Sequence, residues 1–468
     1  MRQQSVKIRM TLIALTASLG LQFGNAQIGT RFPSERKVVK DPVTGVDLVF
    51  LTSQPRGDSK MYPTHTQWTS DGKWIVFRSD RVEGEAMAVN EETGDIVQVT
   101  EGGYSGALNV ARKSMKLYFG RPQQNDAPGQ GDRRQPRAID VIEVDLQALF
   151  DDSEAGTLKD QSHYQKVLAT IPAEIGARGV DALDADEEFV YFGTGKEYAT
   201  KFLPPYVPVS EPFGARNMGA GPSAIGKVDL KTKEISHVVT VPFQVGHIQA
   251  NLWVPGEIVF CWETGGKAPQ RTWVVRADGS ELRPIYEESA FDWVTHEMVI
   301  SADEIAVCIM GHRPIPGIER NDLGEATGVR GANPGQESEW GPSGTRAKPT
   351  GIAVINLRTR DMRIEGQTHH GSGLWHPAGS SDGRWLAADD FYRNVYLIDR
   401  NNHEMMLLTA GHKDTARDHT HPTFSPDGTK IEIQSAMLSE DDRSLNICVV
   451  RVPEDWLNRT YAFDFNKK

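Results

Sequence analysis

Histidine is the residue type in this sequence whose spacing most clearly indicates chemistry. His65, His376 and His421 each lie six residues before the aspartate of an Asp-Gly turn, and His296 lies seven residues before the aspartate of a less regular turn. His247 stands before a further degraded copy of the same pattern. The chain has 13 histidines in all, so a shared register among five of them predicts that these imidazoles act together.

The segment His419-Thr420-His421 adds a second spacing signal. Alternate residues of a strand point to the same face, so both imidazoles should lie side by side. Imidazole is a common ligand of Zn, Mn, Fe and Cu, and two on one face with others nearby predict a divalent-metal site. The alternative is polar packing of the histidines without a metal.

The elements that must position these histidines repeat along the chain. Three segments share an Asp-Gly turn followed by a strand: 65–79, 376–390 and 421–435. Four weaker copies have degraded turns: 108–120, 182–193, 252–263 and 299–310. Each copy precedes a second strand and turn, which is typical of propeller blades.

These repeats predict an all-β fold, a seven-bladed β-propeller that occupies residues 30–468 as one domain. If the strands that begin at the histidines are the innermost ones, the imidazoles converge on one end of the central channel. The strand in 45–54 has no partner before it, so we expect it to close the ring by pairing with the last blade. Long inter-strand loops interrupt the repeats at 121–137, 196–224 and 313–351, either as binding loops or as simple insertions.

The N-terminus resembles an export signal. Residues 1–26 contain a positively charged start, the apolar run "MTLIALTASLGLQF" and small residues before Gln27. The prediction is a cleaved signal peptide, with periplasmic or secreted mature protein and no membrane association after cleavage; an uncleaved anchor is the alternative.

Charge and cysteine content exclude some functions. The net charge of −12 argues against binding of duplex nucleic acid, which requires a basic surface, but it is compatible with an anionic small substrate in a locally cationic cleft. Cys261, Cys308 and Cys448 are far apart and lie in apolar strands, so we expect buried free thiols. Nothing in the sequence indicates an oligomeric state.

Two stretches carry a resemblance to a known family. "VPGEIVFCWETGGKAPQRTWVVRADGSELRPIY" followed by "WVTHEMVI", and "DHTHPTFSPDGTKIEIQSA", resemble the oligogalacturonate lyase family, best between about residues 240 and 450. The resemblance implies a seven-bladed propeller that cleaves short galacturonides, which are pectin fragments, by β-elimination. It also implies a divalent metal cofactor, typically manganese, and an acidic oligosaccharide substrate.

The same resemblance assigns roles to individual residues. It makes His247 of "GH" the proton-abstracting base and places metal ligands at His296 and at His419 and His421. The family has a further ligand, a glutamine, where this chain has Ala416. Candidates for the replacement are His376, Asp418 and water. Arg216 is the candidate arginine that contacts the substrate.

Two other functions fit the repeats. A non-catalytic TolB-like propeller that binds other molecules would explain the turns and the signal peptide, but not the histidine register. A lyase or hydrolase for another glucuronate-containing glycan would explain the substitution at Ala416 and the long loops.

Overall fold

Seven antiparallel sheets make up the protein in the computed structural model, which describes residues 27–124, 136–213, 216–264, 268–288, 292–311, 350–367 and 373–461. Each sheet is one blade of four or five strands, and successive blades follow in chain order around a ring. The predicted all-β, seven-bladed propeller is therefore confirmed. The predicted signal peptide lies outside the described residues.

The strands follow blade by blade, each from the innermost strand outward. Blade 1 contains β4 (Ser59–Lys60), β5 (Trp74–Arg78), β6 (Ala86–Asn90), β7 (Ile96–Gln98) and, outermost, β1 (Arg31–Phe32). Blade 2 contains β8 (Ser105–Val110), β9 (Lys116–Pro122), β10 (Ile139–Asp145) and β11 (Gln165–Ile171). Blade 3 contains β12 (Ala182–Leu183), β13 (Phe189–Gly193), β14 (Ala220–Asp229) and β15 (Ile235–Phe243). Blade 4 contains β16 (Val245–Ala250), β17 (Glu257–Trp262), β18 (Thr272–Arg276) and β19 (Arg283–Pro284).

Blades 5 to 7 complete the ring. Blade 5 contains β20 (Asp292–Val299), β21 (Glu304–Gly311), β22 (Thr350–Asn356) and β23 (Met362–Gln367). Blade 6 contains β24 (Leu374–Gly379), β25 (Trp385–Asp390), β26 (Val395–Asp399) and β27 (Met405–Thr409). Blade 7 contains β28 (Thr423–Phe424), β29 (Lys430–Ser435), β30 (Asn446–Arg451), β3 (Asp47–Phe50) and β2 (Lys37–Lys40).

Short helices occur only in connections and at the end of the described chain: α1 (Leu146–Ala155), α2 (Gln161–Tyr164), α3 (Lys196–Thr200) and α4 (Glu454–Leu457), with a 3-10 turn at Ala173–Ile175. Among the described residues, no helix is both long enough and apolar enough to cross a membrane.

The ring closes through the N-terminal strands, as predicted. Strand β3 pairs antiparallel with β30, and Val49 lies opposite Val449. Blade 7 is thus built from both ends of the chain, and this pairing satisfies backbone groups that would otherwise form two open edges.

The Asp-Gly turns have one local structure in the three regular copies. In each, a Ser or Thr hydroxyl donates to the aspartate two residues later at 2.6 Å, as between Ser425 and Asp427. The glycine that follows adopts a left-handed conformation, with φ of 71° at Gly428. Short polar side chains and glycine are the residues that such turns favour, which explains why the sequence signal is strong.

Neighbouring blades share apolar faces. Leu397 of blade 6 and Ile433 and Val450 of blade 7 belong to one cluster and are each fully buried. Burial of one such side chain contributes about 1.5–3 kcal/mol, so these faces hold adjacent blades together. Cys261, Cys308 and Cys448 are free and buried in these sheets, as expected.

Strand direction determines which loops lie near the start of the inner strands. In an antiparallel blade, the connection from the second strand to the third lies at the same end as the start of the first. The three long segments predicted as loops are all connections of this kind, in blades 2, 3 and 5. Parts of each lie outside the described residues.

Candidate active site and metal centre

Four of the predicted histidines occupy the same place in four consecutive blades. His247, His296, His376 and His421 each lie three residues before the last residue of the innermost strand of blades 4, 5, 6 and 7. The register seen in the sequence is thus a structural register around the channel.

Irregular backbone directs these side chains. The strand pairing shifts register around His247, His296 and His376, which marks a β-bulge in each strand. His247, His296 and His421 have left-handed φ values of 46°, 49° and 51°. A non-glycine residue in this conformation costs roughly 1–3 kcal/mol, and such strain is concentrated at functional sites. A bulge changes the direction in which a side chain points, so these imidazoles depart from the regular alternation of side chains along the strand.

The structure brings the predicted metal-binding residues together. The ring of His376 lies 4.2 Å from that of His296, 4.1 Å from that of His421 and 5.0 Å from that of His419, between ring centroids. These four residues form what we call the imidazole cluster. His247 stands beside it, with its ring 6.3 Å from that of His296.

Asp389 at the end of β25 organises the cluster. Its carboxylate accepts hydrogen bonds from the backbone N–H groups of His376 and His421 at 2.9 and 3.0 Å. It also lies 3.0 Å from His376 Nδ1. A hydrogen bond donated by Nδ1–H to a carboxylate leaves the Nε2 lone pair for a metal, which is the usual arrangement of metal-binding histidines.

Tyr62 of blade 1 fills the space between the cluster and His247. Its ring lies 4.9 Å from the His247 ring and 5.4 Å from the His421 ring. The phenol oxygen is 2.8 Å from His296 Nδ1. A bond donated by Nδ1–H to this oxygen leaves the lone pair of His296 Nε2 for a metal. Burial raises the pKa of Tyr62 well above its usual value, so the phenol stays protonated.

The donor chemistry of the imidazole cluster fits a divalent transition metal. Burial lowers the pKa of His296, His376 and His421 well below its usual range, and lowers that of His419 to about 3. The four rings are therefore neutral at neutral pH, the form that binds metal. His419 Nδ1 is buried and has no hydrogen-bond partner among the described residues. Three residues, His376, Asp389 and His419, each have one atom able to bind a metal, and these three atoms lie within 4.8 Å of one another.

Ala416 does not take part in this cluster. It is 7% exposed and packs with Ala436 and Leu445 in a small apolar group. Of the candidates for the missing ligand, His376 contacts the other rings directly, whereas Asp418 lies 3.7 Å from His421 Nε2. Both residues stay candidates for the additional donor, and His376 alone of the two shares a group of close ligand atoms with Asp389 and His419.

His247 lies between two carboxylates. Its Nδ1 is 3.0 Å from Glu297 Oε1, and its Nε2 is 3.6 Å from Glu263 Oε2. The buried guanidinium of Arg271 donates from Nε to the other oxygen of Glu297 at 2.9 Å. Burial alone would raise the pKa of Glu297, but Arg271 and His247 lower it to about 2, so this carboxylate is ionised.

This arrangement suits a proton acceptor. The ionised Glu297 accepts a hydrogen bond from Nδ1–H of His247, which leaves Nε2 as the ring atom that can accept a proton. His247, Cys261 and Glu263 also place ligand atoms within 4.8 Å of one another. The positive charge of Arg271 in the same group favours a base over a second metal site.

The remaining predicted residue, Arg216, is exposed in a short turn closed by backbone pairing of Phe213 with Met218. The Phe213 ring packs edge-on against Trp262 at 5.7 Å. Trp262 directly precedes Glu263, so the turn lies at the His247 end of blade 4. Arg216 makes no hydrogen bond or ion pair with a described residue, and its role stays a prediction.

His65 shares the sequence register, but it lies after β4 of blade 1 and has a different partner. Its Nε2 lies 2.7 Å from the backbone oxygen of Asp181 in front of β12. This bond joins blades 1 and 3, whereas the imidazole cluster belongs to blades 5 to 7.

Five residues of the site were not identified from the sequence: Tyr62, Glu263, Arg271, Glu297 and Asp389. A signal existed for Glu297, because it follows His296 in the "THE" motif quoted above. Regular strand alternation would place these neighbours on opposite faces, and only the bulge brings both to the site.

Comparison with known proteins supports the fold. No protein-family model matches the chain, and no curated protein matches its sequence. Two solved structures are similar over 92% of this chain and 100% of their own. An oligogalacturonate lyase in complex with manganese has 16% identity and a TM-score of 0.65. An oligogalacturonate lyase from Vibrio parahaemolyticus has 17% identity and a TM-score of 0.66. The chain thus resembles oligogalacturonate lyases in its propeller fold.

Proposed function

We propose that this protein is a lyase that cleaves 4-linked uronic-acid oligosaccharides, such as pectin fragments, by β-elimination. The observation that carries the proposal is that one imidazole, His247, stands beside a cluster of four others and is oriented by the buried, ionised Glu297. The similarity in fold to oligogalacturonate lyases supports the reaction class.

In this reaction His247 removes the C5 proton of the uronate. The proton goes to Nε2 because Nδ1 already carries the hydrogen donated to Glu297. The electron pair of the broken C5–H bond forms the C4–C5 double bond as the C4–O bond to the next sugar breaks. The leaving oxygen keeps the electron pair of that bond and takes up a proton from water, and the imidazolium returns its proton to solvent. The negative charge of Glu297 stabilises the imidazolium that forms. Arg271 holds Glu297 in place from the opposite side.

The imidazole cluster would hold the cofactor. His296, His376, His419 and His421 supply neutral nitrogen donors for a divalent ion, for which manganese is our first candidate. Such an ion supplies a Lewis acid that neutralises the uronate carboxylate and makes the neighbouring proton more acidic. Arg216 is the proposed further contact to the substrate.

A panel of uronic-acid oligosaccharides tests the proposal. The purified protein should produce the ultraviolet absorbance of a C4–C5 unsaturated product from oligogalacturonate, and a chelator should remove this activity. Production of the same absorbance only from glucuronate-containing glycans would assign the enzyme to those substrates. Absence of any absorbance change, together with absence of bound metal, would favour a TolB-like binding module.

We also propose that the protein is exported to the periplasm or secreted. The basis is the charged and apolar sequence of residues 1–26. N-terminal sequencing of protein recovered from the producing cells should give a first residue near Gln27. A mature chain that still begins at Met1 would contradict cleavage.

A further inference from the structure

The turn between β25 and β26 carries two side chains that the site described above does not use. Tyr392 is 62% exposed, an unusual position for a large aromatic residue. Arg393 follows it and is partly buried. Because this turn joins the second and third strands of blade 6, it lies at the end of the blade where the inner strand starts.

The turn is held in one conformation by Asp390. One carboxylate oxygen accepts the backbone N–H groups of Tyr392 and Asn394 at 2.8 and 2.9 Å. The other accepts the side-chain amide of Asn394 at 3.0 Å. Arg393 has a left-handed φ of 67°. A side chain presented on such a fixed turn loses little conformational freedom when it binds a ligand.

The turn adjoins the imidazole cluster. Asp389, which holds His376 and His421, is separated from the turn only by Asp390. The Phe391 ring lies 5.8 Å from the His419 ring, and the Arg393 guanidinium donates to the Phe391 carbonyl oxygen at 2.7 Å. These contacts place a positive charge beside the proposed metal centre.

Arg393 makes no direct ion pair in the part of the chain that the structure describes. The Asp418 carboxylate feels its charge, which lowers the pKa of that group against the effect of burial, but does not contact it. Among the described residues, the buried Nε of Arg393 also has no hydrogen-bond partner. Arg360 provides a contrast, because it has the same φ of 67° on another turn but pairs with Glu287 at 3.1 Å. A guanidinium that is partly removed from water and contacts no carboxylate directly favours binding of one, which it can contact through two N–H groups.

We propose that Tyr392 and Arg393 form a binding subsite for one uronate unit of the saccharide. Arg393 pairs with the sugar carboxylate, and the apolar face of the sugar ring packs on Tyr392, whose exposed ring offers a flat apolar surface. The subsite makes binding selective for acidic over neutral sugars. It rests on the proposed function for the placement of the saccharide, but binding here requires neither cleavage nor the metal.

Calorimetric titration of the metal-free protein tests the subsite. The probes are trigalacturonate and its fully methyl-esterified form, which has the same sugar rings without charge. The wild type should bind the acidic probe more tightly than the ester. Arg393→Gln should weaken binding of the acidic probe about tenfold or more and remove the preference. Arg393→Lys should keep part of the preference, and Tyr392→Ala should weaken binding of both probes.

Arg360→Gln is the matched control, because this arginine has the same backbone conformation in a turn at the opposite end of blade 5. It should leave both affinities unchanged. If Arg393→Gln binds trigalacturonate as tightly as the wild type while the wild type still cleaves it, the subsite is wrong and the lyase stands. A wild type that neither binds nor cleaves any uronic-acid oligosaccharide of the panel overturns both proposals.

Discussion

Replacing Glu297 with glutamine should invert the tautomer of His247 without removing either side chain. Glu297 lies between two groups, His247 Nδ1 at 3.0 Å and Arg271 Nε at 2.9 Å. An arginine can only donate, so the amide oxygen of the variant must face Arg271. The amide NH2 group then faces Nδ1 and donates to it. A neutral His247 must now carry its hydrogen on Nε2, the atom that should accept the substrate proton.

The replacement should lower both the turnover rate and the unfolding free energy, and the size of each loss can be stated. The corresponding aspartate-to-asparagine change beside a catalytic histidine lowers kcat about 10⁴-fold through the wrong tautomer, so we expect a loss of about 10³- to 10⁴-fold with little change in KM. The fall in the pKa of Glu297 from 4.5 to about 2, at 1.36 kcal/mol per pH unit, corresponds to about 3 kcal/mol of unfolding free energy. Because the folded pKa is lowered, this stabilisation is present above pH 4.5 and is lost as pH falls towards 2.

Two assays and one control separate these effects. Release of unsaturated product measures kcat and KM, and denaturant unfolding at neutral pH measures stability. Glu257→Gln is the matched control, since this buried carboxylate pairs with Arg358 at the opposite end of β17. It should lower stability and leave kcat unchanged. If Glu297→Gln keeps kcat within about threefold of the wild type while it remains folded and metal-loaded, the tautomer argument fails.

Three further predictions concern the metal, the pH and the departure at residue 416. His376→Ala and His421→Ala should each lose bound metal, measured by elemental analysis, whereas His247→Ala should keep the metal and lose turnover; equal metal contents in all three would contradict the assigned roles. His412 is fully buried and its pKa is lowered to about 4 by burial, so it should contribute up to about 3 kcal/mol of stability that is present above pH 6.5 and lost as pH falls towards 4. His412→Gln should flatten the pH dependence of the unfolding free energy by this amount, and an unchanged slope would exclude His412 as its source. Ala416→Gln should cost about 1–3 kcal/mol of stability by burying an amide in an apolar cluster, and it should not raise metal affinity; tighter metal binding in this variant would show that position 416 can still reach the metal.

The fold was accessible from the sequence because its signals are local. The hydroxyl-to-aspartate bond of each regular turn joins residues only two apart, as in Ser425 and Asp427, and glycine follows at once. Seven copies of such a unit specify a ring of blades. The ring closure was predictable for a different reason: an apolar strand before the first repeat, of which Val49 is part, needs a partner.

The site was only partly accessible, because its contacts are distant in sequence. Tyr62 and His296 are separated by 234 residues, so no local pattern joins them. The bulges also break the two-residue alternation on which strand predictions depend. Glu297 was missed for this reason, although the adjacent His296 was found. The histidines were detectable because the same register recurred in several blades. Asp389 and Arg271 each come from a single blade, so no repeated spacing pointed to them.

The substitution at Ala416 is understandable from the order of the blades. Position 416 precedes β28, and its side chain packs in an apolar cluster. A polar side chain at this position would have to move out of that cluster to reach the proposed metal centre. His376 comes from blade 6, between His296 of blade 5 and His421 of blade 7, and its ring contacts both of theirs. A donor from the intervening blade would therefore complete the proposed set. The proposed ligands then occupy three consecutive blades, with the proposed base on the fourth, so that a saccharide lying along this arc would meet both groups in turn.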